Sequence, residues 1–153
     1  MSTSRPAARG RSSGPGRILV AVYAVLAVAA AGRSGFQIVD RFDEAPIAFS
    51  LSALAAVVYI VATLALALRW DRVAWVTIGF ELLGVLVIGT VSLVAPGLLG
   101  LDSIDPFGRE ATVWSVYGAG YLCVPLVLPV LGLLYLWRGR SIDATSTATP
   151  TAA

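Results

Sequence analysis

Four long apolar stretches, almost free of charged residues, determine the environment in which this chain can fold. They cover residues 18–31 (with an amphipathic extension to Val39), 47–68, 73–95 and 111–137. A helix needs about 20 apolar residues, with a range of about 17–25, to cross the hydrocarbon core of a bilayer. Charged residues are only 13% of the 153 residues, too few to coat a soluble domain. The sequence therefore predicts a protein whose main partner is the lipid bilayer.

The fold class follows from how the backbone is satisfied in lipid. Backbone N–H and C=O groups must be paired internally there, and long continuous stretches favour helices over strands. We predict an all-α fold, a bundle of four transmembrane helices within a domain at residues 17–140. The helices are expected at about residues 17–40, 47–68, 73–95 and 111–137. The basic N-terminal tail (residues 1–16) and the Ala/Thr/Ser-rich C-terminal tail (residues 141–153) are predicted to be disordered because they have little apolar surface to bury.

The first stretch has two interpretations. Its purely apolar part, residues 18–31, follows several arginines and ends in three alanines. A basic lead, a short apolar core and small residues at its end are also typical of a cleavable signal peptide. The apolar pattern resumes at Phe36, Ile38 and Val39, which extends a retained helix to spanning length. We favour the retained helix, and the signal-peptide interpretation stays open.

Arginines predict the orientation, because the chain contains no lysine or histidine. With four spans, one side carries both tails and the turn at residues 69–72, and its basic residues are Arg5, Arg9, Arg11, Arg17, Arg69, Arg72, Arg138 and Arg140. On the other side, Arg33, Arg41 and Arg109 are outnumbered by acidic residues. Positive charge in short loops stays in the cytoplasm. Both termini are therefore predicted to be cytoplasmic, in a multi-pass protein of the cell membrane. The same orientation follows if the first helix is removed.

Polar residues inside the stretches fall at two depths. At about 1.5 Å per residue, Tyr23 lies about 9 Å and Glu81 about 12 Å from the inner surface, while Tyr59 and Tyr121 lie at about 10–15 Å. These four residues form a candidate intramembrane polar site. A second, outer tier of polar residues at similar depth includes Arg33, Gln37, Ser52 and Ser115.

Glu81 is the only charged residue in the third stretch. An acid at the centre of a membrane helix costs about 2.5–3.5 kcal/mol, and such a residue is by default a candidate for function. In one interpretation it makes a structural hydrogen bond with Tyr59 or Tyr121, worth about 0.6 kcal/mol on average. In the other it binds a proton or a cation. Arg33 lies about 12 Å higher and is expected to reach the outer interface or outer hydroxyls.

Three residue types add further expectations. Pro125 and Pro129 lack a backbone N–H, which predicts a bend in the fourth helix. Cys123, the single cysteine, excludes an internal disulfide and is predicted to be a buried, inert thiol. Four tryptophans near predicted helix ends suit the headgroup region: Trp70, Trp75, Trp114 and Trp137.

Four runs of the sequence resemble those of uncharacterised small four-helix integral membrane proteins of high-GC bacteria. They are GRSGFQ at residues 32–37, ELLGVL at 81–86, TVWS at 112–115 and YLCVPLVLP at 121–129. The resemblance implies a four-helix membrane protein and brings no activity, substrate or catalytic residue. Small multidrug antiporters have a similar size and an intramembrane glutamate in their first helix. Glu81 lies in the third, so their function is not carried over.

The residue inventory argues against an enzyme. The chain has no histidine and a single cysteine, and it lacks paired intramembrane carboxylates and a phosphate-binding glycine loop. We expect no cofactor, no metal and no nucleic-acid partner. Our leading hypothesis is a structural or accessory membrane-embedded bundle that assembles with itself or with another membrane protein through small-residue faces. The alternative is a small oligomeric permease or channel with Glu81 as its proton or cation site.

Overall fold

The computed structural model describes residues 14–100 and 112–146, and the regular structure in these two ranges is entirely helical. The long helices are α1 (Pro15–Asp40), α2 (Pro46–Ala67), α3 (Asp71–Val94) and α4 (Val124–Ser146). Short 3-10 helices cover Phe42–Glu44, Pro96–Leu99 and Ser115–Tyr121. Within the described ranges, three helices are long and apolar enough to cross a membrane, or four if Ser115–Tyr121 and α4 form one bent span. The all-α prediction is confirmed, and α1, α2 and α3 begin and end within two residues of the first three predicted helices.

Helix ends follow the local sequence. Pro15 and Pro46 begin α1 and α2, at positions where a missing backbone N–H costs nothing because the first turn has no acceptor for it. After α2 the chain turns sharply: the Trp70 N–H donates to the Ala65 carbonyl at 2.8 Å, and Arg69 between them adopts a left-handed conformation with φ 59°. These features define a Schellman motif, which reverses the chain into α3 within a few residues.

The helices pack in chain order around one core. α1 packs along α2, α3 packs against α2, and the chain from Ser115 onward packs against α3. The buried face of α1 follows the helical period and ends in polar residues: Leu19, Tyr23, Leu26, Ala27, Ala30, Ser34 and Gln37. The opposite faces of α1, α2 and α3 expose large apolar side chains, among them Val28, Val57 and Leu83. A surface of this composition fits lipid contact.

The fourth apolar segment differs from the single helix predicted at residues 111–137. Ser115–Tyr121, which we call the bent segment, lies at 99° to α4. Val116, Tyr117 and Gly118 inside it, and Leu122 and Cys123 after it, have left-handed backbone conformations. The break ends just before Val124 and Pro125, the first two residues of α4, and a proline ring is tolerated in the first turn of a helix. Pro125 therefore helps to begin α4 instead of bending a continuous helix, whereas Pro129 lies inside α4.

Two expectations for single residues are wrong. Trp114 is 1% exposed and packs in the core instead of lying at an interface. Cys123 is exposed, because the chain break turns it outward. α4 also continues to Ser146, into the tail predicted to be disordered, while residues 1–13 and 147–153 of the predicted tails lie outside the described residues.

Two glycines of α3 allow the fourth segment to approach closely. A Cβ at Gly84 would lie 2.8 Å from the Trp114 ring, and a Cβ at Gly89 would lie 2.6 Å from the Tyr117 ring. Gly79 on the same helix faces open space, because no heavy atom lies within 4 Å of the point where its Cβ would be. The fourth segment therefore needs glycine at positions 84 and 89 to pack against α3, whereas position 79 has room for a larger side chain.

We predict that Gly84→Ala destabilises the fold by about 1–3 kcal/mol, because the added methyl group must displace the buried Trp114 ring. Gly79→Ala is the matched control, and it should be neutral or stabilising by up to about 1 kcal/mol through helix propensity. Unfolding of both variants in mixed micelles measures the difference. Equal stability of the two variants would contradict the packing of Trp114 on Gly84.

Candidate functional site

Glu81 lies at the centre of the bundle and is fully buried, with 0% of its surface exposed. The Tyr23 hydroxyl on α1 donates a hydrogen bond to Glu81 Oε2 on α3 at 2.7 Å. Both side chains occupy the buried faces of their helices, Glu81 between Ile78 and Val85 on α3. The bond therefore joins two helices that are separated by α2 in the chain.

Tyr59 and Trp114 complete the surroundings of this carboxyl. The Tyr59 ring lies 6.3 Å from the Tyr23 ring, centroid to centroid. Its hydroxyl lies close to the Glu81 carboxyl and to the Trp114 indole, but it forms no hydrogen bond of normal geometry with a described residue. We call Tyr23, Tyr59, Glu81 and Trp114 the inner polar cluster.

Several polar atoms of the inner polar cluster lack a hydrogen-bond partner among the described residues. They are Glu81 Oε1, the Tyr59 hydroxyl and Trp114 Nε1. Burying such a group without a bond costs about 1–3 kcal/mol. The Tyr59 hydroxyl lies close to both the Glu81 carboxyl and the Trp114 indole. A small adjustment of these side chains, or a bound water, would therefore satisfy the three atoms.

Tyr121 belongs to a different contact from the one predicted. The Arg33 guanidinium donates from Nη1 to the Tyr121 hydroxyl at 3.1 Å, and the partner of Glu81 is Tyr23. The predicted depth of Tyr121 assumed a straight helix, and the bent segment places this residue elsewhere. Arg33 was expected to bond to a hydroxyl of the outer tier. It bonds instead to the Tyr121 hydroxyl, which was assigned to the inner site.

The predicted outer tier is only partly assembled. Gln37 and Ser52 are buried on α1 and α2, and the Ser52 hydroxyl has no hydrogen-bond partner among the described residues. Ser115 instead pairs with Thr112: each backbone N–H donates to the other's hydroxyl at 3.0 Å. This reciprocal pair satisfies backbone groups at the start of the bent segment.

Side chains of α3 hold the bent segment in place. Ser92 Oγ accepts a hydrogen bond from the Val116 N–H at 2.8 Å, and Thr90 Oγ1 lies 2.9 Å from the Tyr117 hydroxyl. Irregular backbone at membrane depth is tolerated only where protein or a water-filled cavity satisfies its polar groups. Serine and threonine residues of α3 and of the segment itself supply these partners here.

Trp114 is the member of the inner polar cluster that the sequence analysis missed. Its position near the end of an apolar stretch favoured an interfacial residue. The available signal was Gly84, one turn after Glu81 on the same helical face, where a missing side chain leaves room for a large ring. The Trp114 ring also makes an edge contact with Phe80, with centroids 6.5 Å apart.

The chemistry open to the inner polar cluster is that of one enclosed carboxyl beside two phenols. In the described part of the chain, no group of three or more His, Cys, Asp or Glu residues could hold a metal ion. Cavities occur at Arg17 and Arg69, at Pro46 and Leu54, and between α1 and α4, and Glu81 lines none of these three. The carboxyl can thus accept hydrogen bonds or take up a proton. It does not open directly to any of these three cavities.

Comparison of the chain with protein families, with curated proteins and with solved structures finds no match.

We predict that Tyr23→Phe and Tyr59→Phe have different effects on stability. Tyr23→Phe removes the donor to Glu81 and should lower the free energy of unfolding by about 0.6 kcal/mol, and by no more than about 1.7 kcal/mol. Tyr59→Phe removes a buried hydroxyl that lies close to Glu81 and Trp114 but forms no hydrogen bond of normal geometry with a described residue, so stability should fall less than in Tyr23→Phe. Both variants keep the aromatic ring, and unfolding in mixed micelles compares them directly. A larger loss for Tyr59→Phe would contradict the assignment of Tyr23 as the partner of Glu81.

Proposed function

We propose that this chain is a four-span integral membrane protein of the bacterial inner membrane, with both termini in the cytoplasm. We further propose that it acts as a structural or accessory bundle, of the kind suggested by its resemblance to small four-helix membrane proteins of high-GC bacteria. The arginines support this orientation: Arg17 lies in the first turn of α1, Arg69 and Arg72 flank the start of α3, and Arg138 lies in the last part of α4. All four lie toward the end of the bundle where the positive-inside rule expects them.

The observation that supports an accessory role best is the enclosure of the polar side chains. Glu81, Tyr23 and Tyr59 are each 0% exposed, while the outer faces of α1–α3 are apolar. Such a bundle offers other molecules its outer surface and not its interior. We therefore infer that its partners are membrane helices, from a second copy or from another protein.

Glycines on the outer face of α1 favour such an assembly. Gly32 and Gly35 are exposed, and no heavy atom lies within 4 Å of the position that a Cβ would take on either. In membranes, small residues let two helix backbones approach closely and gain dispersion energy. α1 is thus the helix proposed to contact the partner.

We predict that Gly32→Leu reduces crosslinking of the protein to its partner in native membranes at least several-fold, because the larger side chain keeps the helices apart. Val57→Leu on the exposed face of α2 is the control and should crosslink like the unmodified protein. A strictly monomeric band for the unmodified protein, with no partner of any kind, would contradict the accessory role.

A second candidate function rests on the unsatisfied atoms of the inner polar cluster. Glu81 Oε1 and the Tyr59 hydroxyl lack partners among the described residues, and the bent segment interrupts the helical backbone next to them. Membrane transporters often build ion and proton sites at such interrupted helices. We propose proton or cation binding at Glu81, in a small permease or channel, as the alternative.

The two candidates predict different results for Glu81→Gln in reconstituted vesicles. If Glu81 carries protons, the variant should lose proton-driven flux, because an amide cannot take up and release a proton at Oε1. If the bundle is accessory, the variant should leave the flux of the vesicles unchanged. Asp43→Asn, at an exposed position between α1 and α2, is the matched control. Flux that is lost in Glu81→Gln and retained in Asp43→Asn would replace the accessory role by transport.

A further inference from the structure

A cavity of about 420 Å³ opens at the end of the bundle where α1 begins and α2 ends. No residue of the inner polar cluster lines it. Its wall includes residues of α1, of α2 and the turn after it, and of α4: Gly16, Arg17, Val20, Leu66, Arg69 and Tyr135. We call it the arginine cavity, because Arg17 and Arg69 both line it.

The two arginines have no counter-charge in the described structure. The ion pair between Arg41 and Glu44 lies in the loop at the opposite end of α1, and neither Arg17 nor Arg69 forms an ion pair with a described residue. Two like charges that line one cavity, without an ion pair to a described residue, give it a positive potential. An anion between them would neutralise this potential, and a phosphate would match the fork of N–H donors on each group.

Arg69 holds its place at the cost of backbone strain. Its φ of 59° is left-handed, and its position in the Schellman motif after α2 is one that glycine usually fills. A left-handed conformation is unfavourable for a residue with a side chain, because its Cβ lies too close to the following carbonyl oxygen. A strained residue in the wall of a cavity suggests that its side chain has a role there that glycine could not perform.

The N-terminus of α1 adds positive potential to the same cavity. Its first turn contains no acidic residue and its start has no side-chain cap. The first hydrogen bond at this end runs from the Ile18 N–H to the Gly14 carbonyl, and Gly16 and Arg17 of this turn line the cavity. The N–H groups of a helix start and its dipole both favour an anion.

The remaining walls of the arginine cavity are apolar, and this favours an anion that carries an apolar chain over a free inorganic anion. Val20, Ala21 and Ala24 continue the cavity along α1, and Leu66 faces them from α2. A free phosphate would fill only the part beside the arginines, whereas a phospholipid would place its phosphate at the arginines and an acyl chain along these side chains. We propose that the arginine cavity binds an anionic phospholipid, with the phosphate between Arg17 and Arg69.

Arg69→Gly tests this site separately from folding. The substitution removes the guanidinium and also relieves the left-handed strain, so the protein should be as stable as the unmodified chain or more so. In nanodiscs of neutral phosphatidylcholine with added phosphatidylglycerol, native mass spectrometry of the released protein counts the retained lipid. We expect Arg69→Gly and Arg17→Gln each to lower retention of phosphatidylglycerol about tenfold or more, because each removes a charge-assisted contact.

Arg72→Gln is the matched control, because Arg72 is exposed in the first turn of α3 and does not line the cavity. It should retain phosphatidylglycerol like the unmodified protein. Equal retention in all variants, or an equal loss in Arg72→Gln, would overturn the site. A second experiment adds inorganic phosphate at millimolar concentration. If the phosphate displaces all of the lipid, the site binds free phosphate and the proposal of a phospholipid is overturned. Each of these outcomes leaves the proposed accessory role intact, since that role is tested by crosslinking.

Discussion

The hydrocarbon core of a bilayer offers no hydrogen-bond partners, and the burial of Gln37, Ser52 and Glu81 within apolar helices fits this constraint. The strongest case is Glu81, which is fully buried and accepts a hydrogen bond from Tyr23. That bond links α1 to α3, and it joins residues on the buried faces of both helices. With those faces turned inward, the apolar residues between them are left facing outward toward lipid.

The same constraint explains how the fourth segment depends on α3. An interrupted backbone in the apolar part of a membrane protein exposes N–H and C=O groups that water does not reach. Ser92 on α3 accepts from the Val116 N–H, and the Thr112–Ser115 pair satisfies the entry to the segment. Gly84 and Gly89 let the segment approach closely enough for these bonds to form. α3 thus supports the bent segment in two ways: its side chains bond to the segment's backbone, and its glycines let the segment pack closely.

Length and hydropathy suffice to predict α1, α2 and α3, because a span in lipid needs little more than a long apolar run. They also suffice to select Glu81, whose burial is too costly to be accidental. Depth along the chain says nothing about the rotation of a helix. Tyr59 or Tyr121 was expected beside Glu81: the Tyr59 hydroxyl does lie close to the carboxyl, Tyr121 contacts Arg33, and the hydrogen bond of normal geometry comes from Tyr23. The break before Pro125 was missed because a proline is compatible both with a bend within a helix and with the start of one. Trp114 was misplaced for a related reason, since its burial depends on the space left by Gly84.

The central claim is that α3 crosses a bilayer with its apolar face in lipid. The most direct measurement attaches a nitroxide at residue 83 in a Cys123→Ala background and records its relaxation by oxygen and by a water-soluble nickel chelate. Leu83 is 58% exposed and lies in the middle of α3, and Trp70, 55% exposed in the turn before α3, provides the reference position. Oxygen, which dissolves in lipid, should dominate at residue 83, and the nickel chelate should dominate at residue 70. A nickel chelate that reaches residue 83 as readily as residue 70 would place this face in water and contradict the account.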